Sequence, residues 1–206
     1  MLFSIFFKKN NGFTLLELLV VITISTILLT AVVFQQRGWN DRLAVSSQAY
    51  EMVLMIRQAQ IYSLGTMKDS LGTGGDNFNV GYGVYVDQDV PDRYIFFADR
   101  NGDKIYTLSA DGQATEKVFT RGVIVSKICG VHIGNASETC TPFNKLSKVM
   151  VSFFRPEPSA YLNLLDEDNV TITPLDPPVM IYLKSPLGKE YKVTVEINGQ
   201  ISIVQV

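Results

Sequence analysis

A chain of 206 residues has room for one folded domain and a membrane anchor, and its formal charge of −2 hides an uneven distribution. From Gly65 onward there are 13 basic and 17 acidic residues, so most of the chain lacks the clustered Lys and Arg that a strong sequence-independent grip on nucleic acid requires. Two cysteines and one histidine are too few for the usual four-ligand zinc site.

The first twelve residues form a short leader with Lys8 and Lys9 and no acid. A 22-residue apolar run from Phe13 to Phe34 follows, and Glu17 is its only charge. A lone carboxylate costs roughly 2.5–3.5 kcal/mol at a membrane helix centre and less near an end, so its presence calls for a function. The run is longer than the apolar region of an ordinary secretory signal, and no Ala-x-Ala type site closes it. At 1.5 Å per residue it reaches about 33 Å, against a hydrocarbon core of about 30 Å. It is therefore expected to be a retained membrane span. Lys8 and Lys9 hold its start on the cytoplasmic side and place the remainder outside.

No Pro interrupts residues 13–64, and Gly38 is the only helix-weakening position before Gly65, a suitable stop. Beyond the membrane, Leu43, Ser47, Tyr50, Leu54, Ile61 and Leu64 recur at helical spacings with Val53 beside them, while Arg42, Gln48, Glu51 and Gln58 fall elsewhere. That stripe is predicted to dock on a sheet. Residues 66–79 are rich in Gly, Ser and Asp and read as a connection. Their Gly72-Thr73-Gly74-Gly75 lacks the Gly-Lys-Ser/Thr ending of a phosphate loop.

Period-two patterns then take over. Val80, Tyr82, Val84 and Val86 alternate on one face. Residues 94–97 and 104–108 flank Asn101-Gly102 and read as a hairpin. Strands are expected over 123–128, 149–154 and 179–183, with a long irregular connection between Pro156 and Pro178. Tyr191, Val193, Val195 and Ile197 lead through Asn198-Gly199 to Ile201 and Ile203, the clearest hairpin in the chain. The fold class is α+β: a long N-terminal helix, membrane-spanning in its first half and amphipathic in its second, packed on a mainly antiparallel β head. The divisions are residues 1–12, the helix 13–64 with its anchor 13–34, and the head 65–206. The aromatics Tyr82, Tyr85, Tyr94, Phe96, Phe97, Phe153 and Phe154 lack interleaved cations and are assigned to core and interface rather than to a nucleic-acid platform.

The stretch Asn11-Gly12-Phe13-Thr14-Leu15-Leu16-Glu17, behind its basic leader, resembles the processing site of the type IV pilin-like family. That resemblance implies cleavage after Gly12 by a membrane-embedded prepilin peptidase and N-methylation of Phe13. It also implies assembly with other pilin or pseudopilin subunits by an ATPase-driven inner-membrane platform, the head facing the periplasm or the exterior. Glu17 becomes the fifth mature residue, to which the family gives a role in assembly. Its carboxylate and the new amine of Phe13 would lie at one end of an apolar helix, where a neighbour added out of register leaves a charge unpaired. The helix, β head and terminal hairpin look most like the H-type minor pseudopilins and FimT-like pilins. The anchor lacks the helix-breaking residues common in major pilins, which points to a minor subunit.

An oxidising compartment for the head predicts a disulfide between Cys129 and Cys140, contributing roughly 3 kcal/mol. The alternative is two free thiols. Asp99, Asn101 and Asp103 place oxygen donors at alternate positions, as at the start of a calcium-binding loop. Lys104 and Ala110 stand where the rest of that loop needs Gly and Glu, and an Asx-rich turn explains the residues without Ca²⁺. Asp87, Asp89 and Asp92 lie just upstream. His132 has no nucleophile pattern near it, which argues against catalysis. Asn135-Ala136-Ser137 and Asn169-Val170-Thr171 match a short glycosylation sequon that occurs often by chance. The expectation is a structural, non-enzymatic filament subunit without a resident cofactor. The alternative is a filament subunit whose head binds a ligand, such as DNA or a secreted substrate, with DNA disfavoured by the acidic head.

Overall fold

The computed structural model describes residues 12–65, 80–107, 111–132, 138–141, 146–166 and 175–206. The predicted connection 66–79, both sequons and the leader lysines lie outside these residues, as do Leu108 and Ala110. The chain divides into two compact units, Met1–Asn40 and Asp41–Val206. Helix α1, Leu15–Leu64, contributes to both and is assigned without a break at Gly38. In the first unit the helix carries apolar side chains on every side, all exposed, from Leu15 to Phe34. A helix apolar all round belongs in lipid or in a bundle.

In the second unit, ten strands follow the helix: β1 Gly81–Asp87, β2 Arg93–Asp99, β3 Gly112–Val118, β4 Ile124–His132, β5 Glu138–Cys140, β6 Leu146–Phe154, β7 Glu157–Asp166, β8 Leu175–Lys184, β9 Glu190–Val195 and β10 Ile201–Gln205. They form two five-stranded antiparallel sheets, ordered β3-β2-β1-β6-β7 and β10-β9-β8-β4-β5. Alternation decides which faces meet. Tyr82, Val84 and Val86 of β1, Val149, Val151 and Phe153 of β6, and Val179, Ile181 and Leu183 of β8 share one core with the helix. The expected final hairpin is present, with Ile201 opposite Val195 and a tight turn closed by Glu196 and Gln200.

The helix docks through a different face from the one predicted. Leu43, Tyr50, Leu54 and Ile61 are exposed, Leu54 by 66 %. The buried positions are Val45, Ala49, Met52, Ile56, Ala59 and Ser63, with Ala44 and Gln48 beside them. Their spacing of four, three, four, three and four is a second helical stripe that the larger side chains mask. Small residues let the helix approach the sheets closely, so the bulky stripe stays outside. Gln48, expected to point away, accepts the Thr120 N–H at 3.1 Å.

Two strand expectations are corrected. Residues 104–107 are not a strand, and β2 pairs instead with Gly112–Val118. Nearby carboxylates take the amides that a ladder would use. Asp99 accepts the N–H groups of Gly102 and Lys104, and Asp103 accepts that of Ile105. The connection expected to be irregular after Pro156 contains β7 and the start of β8. Pro158 is tolerated because β7 is a sheet edge, and Pro177 and Pro178 fall where the β4–β8 register shifts between Cys129 and Val131.

Candidate processing and assembly site

Helix α1 starts on a capping pair. Thr14 precedes the first helical residue, and its Oγ1 accepts the Glu17 N–H at 3.2 Å while its carbonyl accepts that of Leu18 at 3.1 Å. Thr-x-x-Glu before an apolar run is the sequence sign of such a start. The cap role of Thr14 is readable from its spacing to Glu17. Glu17 lies in the first turn, where an acid is favoured by the helix dipole by about 0.3–1 kcal/mol.

Gly12, Phe13 and Thr14 belong to no helix or strand. The Gly12–Phe13 bond thus sits just outside the helix, on backbone not held in a hydrogen-bonded ladder. A Cβ added at Gly12 would meet nothing within 4 Å among the described residues. The fold itself gives no reason for glycine there. Phe13 is 74 % exposed, and Leu15, Leu16 and Leu18 around Glu17 are also exposed. One carboxylate near the start of an exposed run that carries no other charge can hold a cation supplied by another chain.

Residues 7–33 match the family described as Prokaryotic N-terminal methylation motif. Neither a curated protein nor a solved structure matches the chain. The chain carries a type IV pilin-type precursor signal. That signal implies processing by prepilin peptidase, assembly with other pilin subunits and membrane anchoring, and its family is structural rather than catalytic.

The other residues singled out by sequence belong to the second unit. Asp99 is buried, and its two oxygens serve the Gly102 and Lys104 N–H groups, both at 2.7 Å. Asn101 donates to Asp103 at 2.7 Å. Asp111, missed in the sequence, accepts from Arg100 and Thr107. Among the described residues, three acidic or sulfur donor atoms come within 4.8 Å of one another at Cys129, Glu138 and Cys140, not at Asp99, Asp103 and Asp111. Those two sulfurs are joined in the Cys129–Cys140 disulfide. A calcium ion in the acidic turn would have to share oxygens that already hold the chain's own amides.

Those amides shape a loop that covers the outer face of the first sheet. The Tyr106 ring lies 5.1 Å from Phe97 and 5.2 Å from Tyr85, and the Lys104 ammonium lies 3.6 Å from the centre of the Tyr161 ring. Cation–π and aromatic contacts of this kind contribute about 0.5–1.5 kcal/mol each.

Burial raises the pKa values of Asp99 and Asp111 above the ordinary carboxylate range, against the lowering effect of the amide bonds they accept. A folded-state pKa above the unfolded one gives stability that is complete below the unfolded value and is lost as pH rises through the folded one. Urea denaturation across a pH series should therefore show the contribution of Asp99 and Asp111 to stability falling as pH rises through their folded-state pKa values. Asp99→Asn should flatten that slope, and an unchanged slope would assign the effect elsewhere.

The disulfide links directly opposed residues of β4 and β5, with Cα atoms 4.0 Å apart, on the sheet face away from the helix. There it meets Met180 and Tyr182, whose hydroxyl donates to Glu138. His132 ends β4, and its side chain lies outside the described residues.

Proposed function

We propose that this chain is a minor structural subunit of a type IV pilus or a type II secretion pseudopilus. The observation that carries this reading is Glu17, the single charge in the exposed apolar run 13–34, inside the matched methylation motif and fifth in the mature chain that the motif implies. Prepilin peptidase removes residues 1–12, the anchor waits in the inner membrane with the head outside, and the assembly platform moves the subunit into a helical filament. Phe13–Phe34 then lies in the filament interior, and Glu17 pairs with the Phe13 amine of a neighbour. The uninterrupted anchor supports a minor subunit. Residues 7–33 do not separate the H-type and FimT-like subfamilies from other members, and the narrower likeness rests on architecture and a loose tail pattern.

The exposed stripe Leu43, Ser47, Tyr50, Leu54, Ile61 and Leu64 supports the same reading. It keeps a heptad spacing of the kind that lets helices pack along a seam, and the head's own core leaves it uncovered. Leu54→Lys should leave the head folded, because the side chain touches solvent, while lowering recovery in filaments. Circular dichroism and immunoblots of sheared filaments check the two halves of that expectation, and normal recovery would remove the stripe from the interface.

The reading as a whole is tested by mass spectrometry of sheared filaments against the membrane that remains. Scarce head peptides in the sheared fraction, with a mature N-terminus at Phe13, are the expected result. Protein still starting at Met1 in every fraction would overturn it.

A further inference from the structure

The polar stretch after the apolar run carries one large aromatic. Trp39 is the chain's only tryptophan, lies within α1 and is 68 % exposed. With Val32, Gln35 and Gln36 it lines a shallow groove of about 270 Å³. Those residues stand seven, four and three positions before it, on one side of the helix. The groove combines an aliphatic floor, two carboxamides and an indole N–H that can only donate. It suits a molecule with an apolar part on one side and ester or phosphate acceptors on the other.

Helix geometry says where such a molecule would be met. From Phe13 to Trp39 the rise is about 39 Å, beyond a hydrocarbon core of about 30 Å and just inside the roughly 40–45 Å that includes the headgroup layers. A tilt of about 20° shortens the projected span to about 37 Å, which keeps Trp39 within the same layer. Tryptophan is favoured at that depth because its ring is apolar while its N–H seeks an acceptor.

We propose that Trp39, with Gln35 and Gln36, is an interfacial lipid site that fixes the depth of the anchor on its outer side. The ring sits within the headgroup layer of the bilayer, and the two carboxamides bond neighbouring ester and phosphate oxygens. The site rests on the reading of residues 13–34 as a membrane span. It adds a second depth marker to Glu17, one near each end of the span.

The test uses the full chain in vesicles of phosphatidylcholine and phosphatidylglycerol. Flotation in a density gradient reports membrane insertion, and tryptophan emission, excited where the tyrosines do not absorb, reports Trp39 alone. Lipids brominated near the glycerol end or near the chain ends then act as quenchers by depth. The expected result is flotation, emission shifted to shorter wavelength than in water, and stronger quenching by the shallow bromines. Trp39→Phe should abolish the signal without changing flotation. Floating protein with water-like emission would overturn the lipid site while leaving the span intact. Stronger quenching by the deep bromines, or shifted emission that neither lipid quenches, would overturn it as well, the latter pointing to cover by a second copy. Protein that fails to float would remove the span and the site together.

Discussion

Glu17→Ala should yield a subunit that is cut after Gly12 yet nearly absent from filaments. The Gly12–Phe13 bond lies outside the helix, and Thr14 still offers its hydroxyl to the backbone N–H at position 17, so the helix start and the segment the motif would offer to the peptidase are preserved. Assembly is different. On the proposed pairing, loss of the carboxylate leaves the amine of a neighbouring Phe13 in an apolar bundle with no partner. Removing one member of a buried ion pair costs about 3–5 kcal/mol, and about 3 kcal/mol already exceeds a hundredfold in an equilibrium. Immunoblots of sheared and membrane fractions, with N-terminal mass analysis of the membrane pool, measure both steps. Wild-type levels of the variant in filaments would sink the pairing mechanism. An uncut N-terminus would move the role of Glu17 to processing.

The second large effect concerns the head. Gly83 stands in the middle of β1, opposite Phe97 of β2 and Ser152 of β6. A Cβ there would lie 2.7 Å from the Val151 carbonyl oxygen and 2.8 Å from the Phe97 ring. The oxygen belongs to a strand paired on both sides and cannot yield cheaply. Gly83→Val should therefore cost about 3 kcal/mol, the upper end of overpacking penalties, in a domain whose stability is on the order of 5–15 kcal/mol. With roughly 2–4 °C per kcal/mol at this size, a fall in Tm of about 6–12 °C is expected. Gly38→Ala is the control. A Cβ there meets nothing within 4 Å, and alanine in a helix interior is worth about 0.5–1 kcal/mol over glycine. An unchanged Tm for Gly83→Val would mean that the sheet is looser than its packing implies.

The parts legible in the sequence were those set by local signals. The apolar run, Glu17 and the turn at Asn198-Gly199 each follow from residues close together, and the inward positions of β1 follow from strict alternation. The docked helix face was not legible, because hydrophobicity weights Leu and Tyr above Ala. The choice of face was made by how closely the backbone could approach the sheets. The acidic turn misled for a related reason. Asn101-Gly102 is a favourable hairpin pair, but Asp99, Asp103 and Asp111 draw the surrounding amides into a loop, and only the fold brings Asp111 back to Arg100. The glycines of β1 carried a readable sign, spaced two apart on one face, yet the rings that need the room come from β2 and β6.

The polar clamps along the second half of α1 have a mechanical consequence. Asp41 holds Ser185 and the Leu187 N–H at the near end, Gln48 holds Thr120, and at the far end Gln60 reaches Pro158 while Arg155 reaches the carbonyls of Ser63 and Gly65. In the filament proposed above, tension would reach the head through this helix. Because the clamps are spread along more than twenty residues and end on both sheets, the load is divided among them rather than passed from one to the next. Rupture then requires shearing the whole docked face at once, and resistance to pulling is governed by that unfolding barrier rather than by equilibrium stability. A subunit built this way can bear force even where each separate bond is weak.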